Sequence, residues 1–390
     1  AGSNAAFTGI DTSITWNFAW HHYGNNNNVS VNFGQQGFTY TPPNGFKALC
    51  SKNIATPLIK NPNDHMDTLL WTGNSASGAS GTTQTISGLN FAPDLVWVKC
   101  RSHSLVHSVN DTLRGVNKQL NTASADGQTT YSGRIQAFYS DGYQLGADGD
   151  VNFNGRTYAG WNWYAGGSTA SNTSGSITSS VRANATAGFS IVSWTGTGSA
   201  ATIGHGLGVA PTWIIVKNLN DEANWTVYVK RAFSGSFDPH DCFASLNETH
   251  AWTDSTVAWN ETAPTSSVFS VGSANQVNGS GDTIVAYCFS EVAGYSKIGQ
   301  YIGNGSSNGP FVYLGFTPQW VMYKNVQQNG GQWFIRDNKR RTFNPHRITS
   351  AADSTGSETN SSLVDIDFLS NGLKWRETNE GSNNGGIKYV

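Results

Sequence analysis

The 390-residue chain carries 23 Lys and Arg against 25 Asp and Glu, and only 12% of its residues are charged, about half the usual share in soluble proteins. The one dense basic run, Lys339-Arg340-Arg341 with Arg336 and Arg347 nearby, is too short for the many phosphate contacts of a nucleic-acid binder, and no apolar run reaches the length of a membrane-crossing helix. Hydrophobic residues at 37%, with 44 Gly and abundant Asn, Ser and Thr, favour strands, tight turns and polar loops over helices.

In chain order, residues 1–65 differ in pattern from the rest of the chain. They contain VSVNFGQQGFTYTPPNGF at 29–46. This resembles the closing strands of a SPRY-type β-sandwich, in which a VNFG strand precedes an aromatic hairpin and a PxGF turn. A complete domain of that kind is about twice as long, so 1–65 is expected to be a partial module, either lacking its earlier strands or exchanging strands with a neighbouring subunit. The chain opens on Ala rather than Met and is expected to be a processed or trimmed piece.

Three similar stretches occupy the remainder, at a period of roughly 105 to 120 residues, which suits a small β-sandwich better than a solenoid repeat. Each opens on an aromatic-x-Gly: Trp71-x-Gly73, Trp194-x-Gly196 and Tyr301-x-Gly303. A polar loop leads to Pro93, Pro211 or Pro318, then an apolar strand ending in Lys99, Lys217 or Lys324, at the same Pro-to-Lys spacing each time. The runs LVWVKC, WIIVKN and WVMYKN are β-branched and aromatic and bounded by Pro or Gly, as expected of strands buried on both faces. The tails at 138–163, 268–289 and 368–390 each read strand, turn, strand, Gly/Asn loop and closing strand, with Asn154-Gly155 and Asn278-Gly279 expected as hairpin turns. No ten-residue helical periodicity is present; 106–120 comes nearest, weakened by Gly115 and Asn117. The expected fold is all-β, as tandem antiparallel β-sandwich domains of jelly-roll or lectin-like kind. The segments are 66–167, a Ser/Thr/Gly linker at 168–188, 189–294 and 295–390. The third copy stops at 387–390, short of the closing AYCF of the second.

Motifs that could carry chemistry read mostly as structure. Asp150-x-Asn152-x-Asn154-Gly155 fits the first half of a calcium loop, but the twelfth position is Trp161 rather than a bidentate Glu. Asp150, Asn152 and Asn154 are therefore a weak metal candidate inside an expected hairpin turn. His205 lies in a GHGLG turn with no nucleophilic Ser in a GxSxG setting, and His21-His22 fall in an aromatic run. Asp365 and Asp367 share a strand face, whereas glycoside hydrolysis needs carboxylates facing each other across a cleft. No catalytic residue and no cofactor is assigned. Cys100 and Cys288 read as small buried hydrophobes, with a disulfide as the alternative. Of the 14 Trp, those in polar or loop settings, Trp225, Trp252, Trp259 and Trp375, are the candidates for an exposed, ligand-binding role. The Asn-x-Ser/Thr sequons are no more than this composition produces by chance.

The stretches FAPDLVWVKCRS (91–102), FYSDGYQLG (138–146), HGLGVAPTWIIVKN (205–218), WNETAPTSSVFSVGS (259–273) and 295–324 resemble a domain of unknown function that recurs in virion proteins of marine and freshwater bacteriophages. There it often comes after a SPRY-like or lectin-like module. The resemblance spans roughly 66–390. It implies a structural or tail-fibre role, so a place at the virion surface or outside the cell and identical subunits and other virion proteins as partners are expected, while the low charge and many Asn, Thr and Ser side chains suit polar contacts to host surface glycans or to neighbouring subunits. It carries no catalytic residues. A carbohydrate-binding adhesin and a self-assembling filament subunit are the rival readings, and a glycan depolymerase is a weaker one.

Overall fold

An uninterrupted apolar run can form a strand only where both of its faces are covered. Leu95–Cys100 and Trp213–Asn218 are such runs, and the computed structural model buries all six residues of each. The structure describes residues 57–76, 81–230 and 242–390. All of them belong to Pro57–Val390, one of the two units into which the chain divides, the other being Ala1–Thr56. The strands pair antiparallel, and the fold is all-β.

Three inner sheets carry these runs. The first has the order Met66–Thr72, Thr157–Trp163, Leu95–Cys100, Ser108–Asp111. In the second, Phe189–Thr195, Thr283–Phe289, Trp213–Asn218 and Thr226–Val229 form the middle of an eight-stranded sheet. In the third, Trp320–Tyr323 leads to Phe334–Asp337, Ile348–Ala351 and Thr359–Asn360, and Tyr301–Ile302 pairs with Lys388–Tyr389. An outer sheet covers each: Gln84–Ser87, Gly142–Leu145 and Ile135–Tyr139 on the first, Ala201–Gly204 and Val268–Val271 on the second, Phe311–Tyr313, Gly372–Trp375 and Ile366–Leu369 on the third. Alternation along the inner strands sends Val96, Val98, Ile214, Val216 and Tyr323 toward these outer layers.

The other face of all three inner sheets meets in a single core. Leu95, Trp97, Trp161 and Trp163 pack there with Trp213, Ile215, Trp225 and Tyr287, and with Trp333, Ile335, Trp320 and Met322. Trp163 lies edge-on to Trp320 at 5.5 Å, and Trp213 stacks on Phe289 at 4.7 Å, both favourable quadrupole geometries. The segments expected as separate domains thus have one interior.

Three local expectations change. The 168–188 stretch is not a linker: Ala170–Asn172 and Ser179–Asn184 extend the second inner sheet, and Arg182 pairs with buried Asp94 at 2.6 Å. The best helix candidate at 106–120 instead contains the strand Ser108–Asp111 and a tight turn in which Arg114 pairs with Asp111 at 2.6 Å. Asn278-Gly279 closes the one-turn helix Asn275–Asn278 instead of a hairpin, and a matching helical turn, Gly149–Asn152, precedes Asn154-Gly155, which does lie in a tight turn, the Arg156 amide donating to the Phe153 carbonyl at 3.1 Å. The reason is that the Asn152 and Asn278 amides hold backbone groups that a hairpin ladder would otherwise satisfy. Cys100 and Cys288 are free and fully buried, with no disulfide among the described residues. His21-His22 and the SPRY-like strands at 29–46 lie outside the described residues.

Candidate binding site

The tryptophans chosen as exposed are interior side chains. Trp225 and Trp259 are 1% exposed and Trp375 is 0%, while Trp252 is half-buried against the shared core. Their polar sequence neighbours misled: Trp225 is fixed by its indole, which donates to the Asn121 carbonyl at 3.0 Å, and Trp259 ends a one-turn helix with its ring edge-on to Tyr228. No sugar can stack on Trp225, Trp259 or Trp375. Asp150, Asn152 and Asn154 form no cation cage either. Asp150 is paired with Arg134, and the Asn152 amide is spent on Asn74, Thr82 and Gly146 backbone groups at 3.0, 3.1 and 3.0 Å. Among the described residues no group of three His, Cys, Asp or Glu could hold a metal ion.

The closing lysines form a feature that sequence reasoning left as a spacing marker. Lys99 Nζ donates to the carbonyls of Leu105 at 2.8 Å and, in the third segment, Thr355 at 3.0 Å. Lys217 Nζ donates to Ala223 at 2.8 Å and, in the first segment, Ala125 at 3.0 Å. Lys324 Nζ donates to Gly331 and, in the second segment, Glu248 at 3.1 Å. The contacts run first to third, second to first and third to second, a closed ring. Burial pulls each ammonium down to about 8, partly opposed by neighbouring acidic groups. His107, Trp225 and Trp333 repeat the cycle through ring N–H donors to Ala351, Asn121 and Ser245 carbonyls at 3.0, 3.0 and 2.9 Å.

Other polar groups are similarly spent. His205 is buried in its turn, accepting from the Leu207 amide. Asp365 pairs with Arg347 and Asp367 with Arg376. Within the basic run, Lys339 pairs with Asp67 and Arg340 with buried Asp337, whose carboxyl those contacts hold below the usual range against the cost of burial.

Beside the third inner sheet lies a mainly apolar cleft of about 670 Å³. One wall belongs to the shared core (Trp163, Trp213, Phe289, Met322) and the other to the local core (Leu373, Trp375). Trp320, Val321 and Met322 along it are only half-buried, whereas their counterparts Leu95, Val96 and Trp97 are at most 4% exposed. The indole N–H groups of Trp213, Trp320 and Trp375, all lining the cleft, have no acceptor.

The fold and cleft define an all-β protein that holds several ionisable side chains, Lys99, Lys217 and Lys324 among them, inside, beside a mainly apolar cleft. The family described as "Domain of unknown function (DUF7483)" matches residues 61–390, and the chain belongs to it. Comparison with curated proteins and with solved structures found no match.

Proposed function

We propose that the chain is a non-enzymatic structural component of a bacteriophage particle, a tail fibre or surface appendage that assembles with copies of itself and with other virion proteins. The observation that carries this reading is the lysine ring: three cationic heads per unit are used to hold backbone carbonyls of adjoining segments. An enzyme of this size would aim some of its buried ionisable groups at a substrate-sized cavity, whereas here the cleft is lined mainly by aromatic and aliphatic side chains, with Lys297, which pairs with Glu291, and a few Ser, Thr and Gln among them. The motif resemblance to virion proteins points the same way. Cryo-electron microscopy of the native particle, with the chain identified by a tag, tests it. Density at the tail or surface supports the proposal; absence of the chain from purified particles overturns it.

A glycan-contacting role is the second reading. It is favoured by Phe311 and Tyr313, 44% and 66% exposed on one face of an outer strand, where rings are free to stack on sugars. A glycan array on the wild-type chain and on Tyr313→Ala separates this role from a purely structural one.

A further inference from the structure

Each outer sheet has an edge strand, and the three edges are finished differently. Their partner strands align them. Thr85, Ile86 and Ser87 stand opposite Gln144, Tyr143 and Gly142, as Phe311, Val312 and Tyr313 stand opposite Lys374, Leu373 and Gly372. In the second segment Thr202, Ile203 and Gly204 stand opposite Ser270, Phe269 and Val268. The middle residue of each edge turns into its segment's core, and the positions on either side face outward.

In the second segment the chain covers this edge itself. The Ile177 amide donates to the Thr202 carbonyl at 3.2 Å, the Thr202 amide donates to Ser176 Oγ at 2.8 Å, and Ser179 Oγ donates to the Gly204 carbonyl at 2.7 Å. These residues belong to the connection between Trp163 and Phe189. The connection between Phe289 and Tyr301 is less than half as long and adds no strand to the third outer sheet. In the first segment Thr85 and Ser87 are exposed, and small polar side chains suit an edge left to water. The third segment carries Phe311 and Tyr313 at the same two positions, 44% and 66% exposed. Exposed aromatics on an uncovered edge favour pairing with another strand over solvation.

The backbone of this edge is complementary to itself. The Trp375 amide donates to the Pro310 carbonyl at 3.2 Å and the Leu314 amide to the Asn371 carbonyl at 3.0 Å. Antiparallel alternation then bonds Val312 to Leu373 and turns the N–H and C=O of Phe311 and Tyr313 away from the sheet. No other strand among the described residues pairs with them. A two-fold axis through Val312 sets Phe311 of one copy opposite Tyr313 of the other, and each such pair exchanges two backbone hydrogen bonds. Both aromatic pairs then lie together on the outward face.

We propose that Phe311–Tyr313 is a self-association edge: two copies of the chain join antiparallel along it and fuse their third outer sheets into one. Main-chain bonds set the register, and the Phe–Tyr cross-strand pairs add affinity. This contact rests on the self-assembly proposed above and names its surface. Its failure is separable, because microscopy reads the chain's place in a particle whereas mass in solution reads this contact.

Sedimentation velocity of the full chain across a concentration series tests it, and a reversible monomer–dimer equilibrium is expected. Tyr313→Pro removes only an outward N–H, which an edge strand tolerates, and should weaken dimerisation about ten-fold or more. Phe311→Lys combined with Tyr313→Lys sets like charges opposite each other and should abolish the dimer. Phe311→Lys combined with Tyr313→Glu sets unlike charges opposite each other twice and should restore a dimer that dissociates in salt. These last two variants differ at one residue, so thermal unfolding at a common temperature shows that both keep the fold. A chain monomeric at every concentration, dimerisation indifferent to Tyr313→Pro, or identical behaviour of the two charged variants each overturns the proposal. A monomeric chain whose glycan-array binding is lost with Tyr313→Ala would assign the rings to sugar instead.

Discussion

His107 shows how one side chain couples distant segments. Its Nδ1 accepts from the Trp97 indole at 2.8 Å, and its Nε2 faces the Ala351 and Ser354 carbonyls at 3.0 and 3.1 Å. That arrangement requires the neutral ring, because a proton on Nδ1 would oppose the indole N–H. Burial, reinforced by Lys99, pulls its pKa down to about 3, and burial with Arg336 pulls His346 down to about 4. The unfolded chain binds these protons below about 6.5 while the folded chain does not, so stability is present above that pH and falls as the solution is acidified toward 4 and below. Thermal unfolding measured from pH 7.5 to 4 should show this loss. His107→Gln should lower stability at neutral pH and flatten the acid slope; an unchanged slope would assign the loss elsewhere.

Among the elements, the aromatic-x-Gly opening has a steric cause. A Cβ at Gly73, Gly196 or Gly303 would come within 2.3, 2.1 or 2.2 Å of a carbonyl of the Gly/Asn loop in its own segment. The loop is drawn that close by a buried asparagine. Asn152, Asn278 and Asn383 each accept from the amide next after the glycine, at 3.0, 3.1 and 2.8 Å, and donate to carbonyls behind. Gly196→Ala must push backbone against backbone, so a loss of about 3 kcal/mol is expected from overpacking. Gly208→Ala, which meets nothing within 4 Å but sits at φ +73°, should cost only about 1 kcal/mol from its left-handed backbone. Urea unfolding of both variants checks the order; equal losses would remove the close-approach explanation.

Across the whole unit, the lysine ring and the shared core make the segments interdependent. No one of them buries the inner face of its sheet alone: Trp97 and Trp161 of the first need Trp225 and Trp333 of the others to be out of water. Calorimetry of the full chain should therefore show 57–390 unfolding in one transition whose calorimetric and van't Hoff enthalpies agree. Residues 66–167 expressed alone should expose that face and fail to give a cooperative transition. Three resolved transitions, or an independently folding fragment, would show the segments to be separate domains after all.

Strand identity, the sheet class and the buried cysteines were legible in the sequence, because they depend on local hydrophobic runs and β-branched or aromatic content. The aromatic-x-Gly and Pro-to-Lys spacings were visible too, though not their purpose. Burial of Trp225, Trp259 and Trp375 was not legible, since a tryptophan among polar neighbours looks exposed until distant segments close over it. The same holds for the lysines, whose partners lie 76 to 256 residues distant. The 168–188 stretch looked like a linker because its composition is that of one, and only pairing with Phe189–Thr195 makes it sheet. Local pattern decided which residues become strands. Tertiary closure decided which face each strand hides and which polar groups are spent inside.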